Sequence, residues 1–124
     1  MTDPQQRVLI VEGDFQVATV MREVLQRMDL HVLINHSLPA ALDELALAAF
    51  DIALVDMGLR GESARPLVQK LAASGTPFAV VTAADQARLK SEFPGLLVIM
   101  KPLGVKALGE AVRTLLGRVS ASTR

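Results

Sequence analysis

The stretch Arg7-Val8-Leu9-Ile10-Val11-Glu12-Gly13-Asp14 decides the fold. Four apolar residues in a row, without alternation, suit a parallel strand covered on both faces, because a half-wet strand would alternate apolar and polar. The run ends on an acidic turn containing glycine. Asp14 is placed there to cap a helix in which Val17, Val20, Met21, Val24 and Met28 recur at three- and four-residue steps. A buried strand followed by an amphipathic helix is half of a βαβ unit, and the rest of the chain repeats it.

Leu30 to Ile34, reaching Asn35, is the second strand, and Ser37 caps a helix carrying Leu38, Leu42, Leu45 and Ala49 on one side. Asp51 to Asp56 is the third strand. The loop Met57 to Glu62 and a helix with Leu67, Val68 and Leu71 inward follow it, and Gly75-Thr76-Pro77 stops that helix. Phe78 to Thr82 is the fourth strand and Asp85 to Phe93 a short charged helix ended by Pro94-Gly95. Leu96 to Met100 is the fifth strand. The last helix places Val105, Leu108, Val112, Leu115 and Val119 at helical spacing before a polar tail from Ser120. Five such units are too few for an eight-stranded barrel of about 250 residues, so a three-layer, doubly wound α/β sheet with helices on both faces is expected.

Composition narrows the function classes. The 124 residues make one domain, with a core expected over about 6–119, and Met1 and the polar end are expected to bound a complete chain without an output domain. Hydrophobic residues make up 51%, enough for a packed core and too many for a disordered chain. Thirteen basic and thirteen acidic side chains cancel, leaving no field to hold a nucleic acid. The absence of cysteine excludes disulfides, thiolate metal sites and a cysteine nucleophile. With no signal peptide and no apolar run near 20 residues, a cytoplasmic protein without membrane contact is expected.

In a doubly wound sheet the working crevice lies beyond the carboxyl ends of the strands. Those ends carry Glu12-Gly13-Asp14, Asp56, Thr82 and Lys101-Pro102. A nucleotide or flavin site wants a glycine- or hydroxyl-rich first loop that offers amides to a phosphate. Here the loop is anionic, which suits a hard divalent cation. With a cation in place, Asp56 can act as a nucleophile toward a phosphoryl group while Lys101 and Thr82 neutralise and hydrogen-bond its oxygens.

Val8-Leu9-Ile10-Val11-Glu12, Asp51 to Asp56 with Leu59 and Gly61, Val80-Val81-Thr82-Ala83 and Lys101-Pro102, in that order, resemble the receiver domain of two-component response regulators. The likeness spans essentially the whole chain. It implies a flavodoxin-like (βα)5 fold with strand order 2-1-3-4-5 and a cis Lys101-Pro102 bond. Asp56 would be the phosphoacceptor, Lys101 the phosphoryl-contacting lysine and Thr82 the switch hydroxyl. Mg2+ would be held by Glu12, Asp56 and the Gly58 backbone carbonyl, with Asp14 a candidate further ligand. The implied partners are a histidine kinase or histidine phosphotransferase and a downstream protein, with room for a homodimer through the fourth and fifth helices. The implied role is that of a stand-alone, non-enzymatic relay. Small residues at Gly58 and Ala84 predict a short-lived phosphorylated state.

Three departures from the family pattern matter. Gly13 stands where the family places its direct metal-binding aspartate, so weakened Mg2+ binding is expected, and Asp14 reads first as a helix cap. Val98 replaces an aromatic residue and reads as a buried strand side chain, which removes the usual rotamer switch. Arg60 stands where a proline is common. The rival reading is a phosphorylation-independent pseudo-receiver that keeps the fold and binds a partner; a small flavodoxin-like enzyme or nucleotide binder comes third. His31 and His36 flank the second strand but lack the converging ligands of a zinc site, and they read as solvated or structural. Ser63 has no nucleophile elbow around it and reads as a helix cap.

Overall fold

The computed structural model describes residues 5–59, 62–83 and 87–123. Arg60, Gly61, Ala84 and Asp85, which carried parts of the loop and helix readings above, lie outside the described residues. The order is β1 (Arg7–Val11), α1 (Phe15–Arg27), β2 (His31–Asn35), α2 (Leu38–Leu47), β3 (Ile52–Asp56), β4 (Gly58–Leu59), β5 (Glu62–Ser63), α3 (Arg65–Ser74), β6 (Phe78–Thr82), α4 (Ala87–Glu92), β7 (Leu97–Met100) and α5 (Val105–Thr123). The main sheet is parallel with order β2-β1-β3-β6-β7. That is the expected 2-1-3-4-5 arrangement once the two-residue strands β4 and β5, an antiparallel pair in the third loop, are counted.

Strand alternation divides the core into two. Val8, Ile10, Ile52, Leu54, Val81 and Ile99 face α1 and α5, where Met21, Leu25, Leu108, Val112 and Leu115 meet them. Leu9, Val11, Ala53, Val55 and Val80 face the opposite layer with Ala41, Leu67, Leu71 and Leu89. This two-sided burial is why β1 and β3 read as unbroken apolar runs.

Helix boundaries follow local chemistry. Asp14 Oδ1 accepts from the Gln16 and Val17 amides at 2.8 and 3.1 Å, and Ser37 Oγ accepts from the Ala40 amide at 3.3 Å, so both caps form as read. Gly75 ends α3 at φ 76°, a left-handed conformation that glycine adopts without steric cost. Ser63 lies one residue earlier than a cap: Ala64 holds that position, and Ser63 Oγ accepts from the Arg65 amide.

Several inward assignments are corrected. Val20 and Val105 are exposed, and Ala18, Met21 and Leu25 centre the buried face of α1, because that face is rotated from the valine stripe. Ala49 lies beyond the end of α2, where extended Ala48 stops the helix and Phe50 turns into the core. Val98 is half-buried. α5 continues to Thr123 where a tail was expected from Ser120, since no proline or glycine there interrupts propagation. The Lys101-Pro102 bond is cis, as anticipated. No helix among the described residues is long and apolar enough to cross a membrane.

Candidate functional site

Register builds the site. Val11 pairs with Val55, and the next residues on β1 and β3 are Glu12 and Asp56. Thr82 ends β6, and Lys101 follows β7 with its amide bonded to the Thr82 carbonyl at 3.0 Å. Four side chains distant in sequence therefore reach one rim of the sheet.

The two carboxyls converge on the lysine. Lys101 Nζ lies 3.2 Å from Asp56 Oδ2 and 3.3 Å from Glu12 Oε2. Asp56 Oδ1 accepts the Gly58 amide at 3.1 Å, and Glu12 Oε2 also accepts the Asp14 amide at 3.1 Å. Asp56 is buried except for a 9% opening of its side chain onto the crevice, and Thr82 is buried beside it. Among the described residues, Glu12 Oε1 is buried without a hydrogen-bond donor.

These contacts set the charge states. Burial, followed by the facing Asp56 carboxyl, pushes Glu12 up to about 7, against opposing pulls from the Asp14 amide and Lys101. Glu12 therefore holds a proton more readily than an exposed glutamate does. Burial works against the Lys101 ammonium, yet the hydrogen bond and charge of Asp56, joined by Glu12, outweigh it and hold its pKa above the usual lysine value.

The donor set fits Mg2+. The cation takes oxygen ligands and usually needs only one or two carboxylates, completed by water. Two neighbouring carboxyls, one with an unpartnered buried oxygen, supply such a pair, and a cation there would compete with the proton on Glu12. Asp14 caps α1 through Oδ1, and its carboxylate is exposed. Among the described residues no group of three or more His, Asp or Glu side chains is arranged to hold a metal. Gly13 adds no carboxyl to this rim, and Glu12 and Asp56 are the two carboxyls that meet Lys101. A Cβ placed on Gly58, two residues past Asp56, would meet nothing within 4 Å among the described residues.

One neighbour had no motif to announce it. His36 Nδ1 lies 2.9 Å from the Glu12 carbonyl oxygen, and the Phe15 ring stacks on the imidazole with centroids 3.9 Å apart. The signal available in the sequence was positional: His36 directly follows the strand that pairs with β1.

Solved structures share this architecture. The receiver domain of the Francisella response regulator 1452 superposes with TM-score 0.80 at 19% identity, covering 92% of this chain and 98% of that one. This is a response-regulator receiver fold. The receiver domain of the PhyR response regulator from Erythrobacter litoralis matches at TM-score 0.83 and 17% identity, covering 97% of this chain and 96% of its own. SdrG from Sphingomonas melonis matches at 0.78 and 26%, covering 93% and 99%. No family model and no curated protein matches the sequence. Within the receiver fold, the Glu12, Asp56, Thr82 and Lys101 cluster sits at the carboxyl rim of the parallel sheet.

Proposed function

We propose that this receiver domain relays a signal by accepting a phosphoryl group on Asp56 from a phosphohistidine of a kinase or phosphotransferase. The observation that carries the reading is Lys101 Nζ held 3.2 Å from a nearly buried Asp56 that opens only toward the crevice. An Asp56 oxygen forms the new O–P bond as the P–N bond breaks. The imidazole departs with that electron pair, carrying a proton on its other nitrogen. Lys101 turns from the carboxylate to the phosphoryl oxygens, and Thr82, on the neighbouring strand end, donates to another. Mg2+ held by Glu12 and Asp56, with the Gly58 carbonyl as a further donor, would neutralise the phosphoryl charge. With Gly13 in the loop this binding is weak.

The open space at Gly58, where a Cβ would meet no described atom within 4 Å, supports a short-lived acyl phosphate, since a small residue there leaves room for water. Apolar surface for a partner is present: Val17, Val20 and Leu103 line a shallow depression with Gln16, and Phe15, Met100 and Val105 are exposed, suited to a protein that must bring its phosphohistidine to Asp56. The rival reading, a pseudo-receiver that binds its partner unphosphorylated, draws support from Gly13, which puts no carboxyl where the family's metal-binding aspartate would stand.

Beryllofluoride with Mg2+ separates the two. Saturable amide shifts at Gly58, Thr82 and Lys101, abolished by Asp56→Asn, are expected for the phosphoacceptor. An unresponsive spectrum at high Mg2+ favours the pseudo-receiver. A phosphorylated form that persists for many hours in Mg2+ buffer would contradict the open-site argument.

A further inference from the structure

The backbone of Glu12 lies just past the last paired residues of β1 and β2, Val11 and Asn35. Its amide donates to the Asn35 carbonyl at 3.0 Å. Its carbonyl has passed the end of the ladder and needs another donor. His36 supplies it. Because a carbonyl oxygen only accepts, the hydrogen sits on Nδ1, and the 2.9 Å bond adds a side-chain rung beyond the end of the strands. Phe15, 58% exposed at the start of α1, contributes little to the core; its ring covers the imidazole, tilted 36° to it.

We propose that His36, covered by Phe15, is a positioning residue that fixes the Glu12 backbone so that its carboxyl stays against Asp56 and Lys101. The need for it arises next door. Gly13 gives the turn the conformational freedom of a residue without Cβ, and the acid that would share the cation load is missing, so the orientation of Glu12 carries more of the site. Both ends of the Glu12 peptide are therefore tied to the end of β2, while its Oε2 spans from the Asp14 amide to Lys101. The clamp acts through Glu12 and touches neither the phosphoryl group nor the metal. It thus stands to the site as an outer-shell hydrogen bond stands to a metal ligand, where loss typically costs about 10–100-fold in metal affinity or activity.

The functional half of this inference rests on the phosphoacceptor reading, so its test has two readouts. His36→Ala and His36→Asn are compared with the wild type; Asn carries an amide donor close to where Nδ1 sits. The first readout is Mg2+ affinity together with the rate of phosphoryl incorporation from acetyl phosphate. His36→Ala is expected to lower both about tenfold, and His36→Asn to restore them to near wild-type values. The second readout is hydrogen exchange of the Asp14 amide, which Glu12 Oε2 holds, measured against core amides of β3. Exchange at Asp14 is expected to quicken in His36→Ala, to return in His36→Asn, and to leave the β3 amides unmoved. If wild type takes neither Mg2+ nor phosphoryl, the phosphoacceptor reading fails and the exchange pattern still decides the clamp. Wild-type exchange and affinity in His36→Ala, or no rescue by His36→Asn, overturns it.

Discussion

Glu12 illustrates how a single side chain sets the chemistry. Its pKa of about 7 means that, between the usual glutamate range and pH 7, the folded protein holds a proton that the unfolded chain has released. The stability linked to that proton is complete below the glutamate range and is lost as pH rises through 7. Urea denaturation should find the wild type less stable at pH 8 than at pH 5 by on the order of 1–3 kcal/mol relative to Glu12→Gln, which lacks the titration. The same proton competes with a cation. Mg2+ affinity should therefore rise as pH increases from 6 to 8 in the wild type, and a pH-independent affinity would contradict a proton on Glu12 that the cation displaces. Lys101 belongs to the same balance. Lys101→Met removes the ammonium between two carboxyls and should slow acetyl phosphate incorporation about 100-fold or more, the usual cost of losing a fixed donor to transferring charge.

At the scale of elements, α1 decides between two readings of Asp14. If its carboxylate serves as the cap it forms, Asp14→Ala costs about 1 kcal/mol of stability and leaves Mg2+ affinity unchanged. A sharp loss of affinity would instead make Asp14 a metal ligand. This cap was legible because Asp before a helical apolar stripe satisfies orphan amides wherever it occurs. Which face of α1 turned inward was not legible: the valines mark a stripe, but its rotation depends on how the helix meets α5 and the sheet, and that placed Ala18 and Leu25 inside and Val20 outside. His36 escaped for a related reason, since its role depends on the end of β2 lying beside Glu12, a contact 24 residues apart in sequence.

For the molecule as a whole, the unbroken runs of β1 and β3 and the helical repeats between strands were enough to specify the layers, because two-sided burial forces that composition. The core they form is tightly closed. Leu54 is fully buried between β1 and β6 and packs in the α1 and α5 layer, so Leu54→Ala should destabilise by about 2–5 kcal/mol in chemical denaturation, with the lower part of that range if neighbours relax into the space. The sequence also carried the rim, since Glu12, Asp56, Thr82 and Lys101 all end or follow apolar strands. What it lacked was their spacing, and hence whether the two carboxyls could share one ammonium. The most direct measurement is the intact mass of the full chain after incubation with Mg2+ and acetyl phosphate, beside Asp56→Asn. One added phosphoryl group on the wild type and none on the variant is predicted; no addition at saturating Mg2+, or equal addition to both, would contradict the assignment of Asp56.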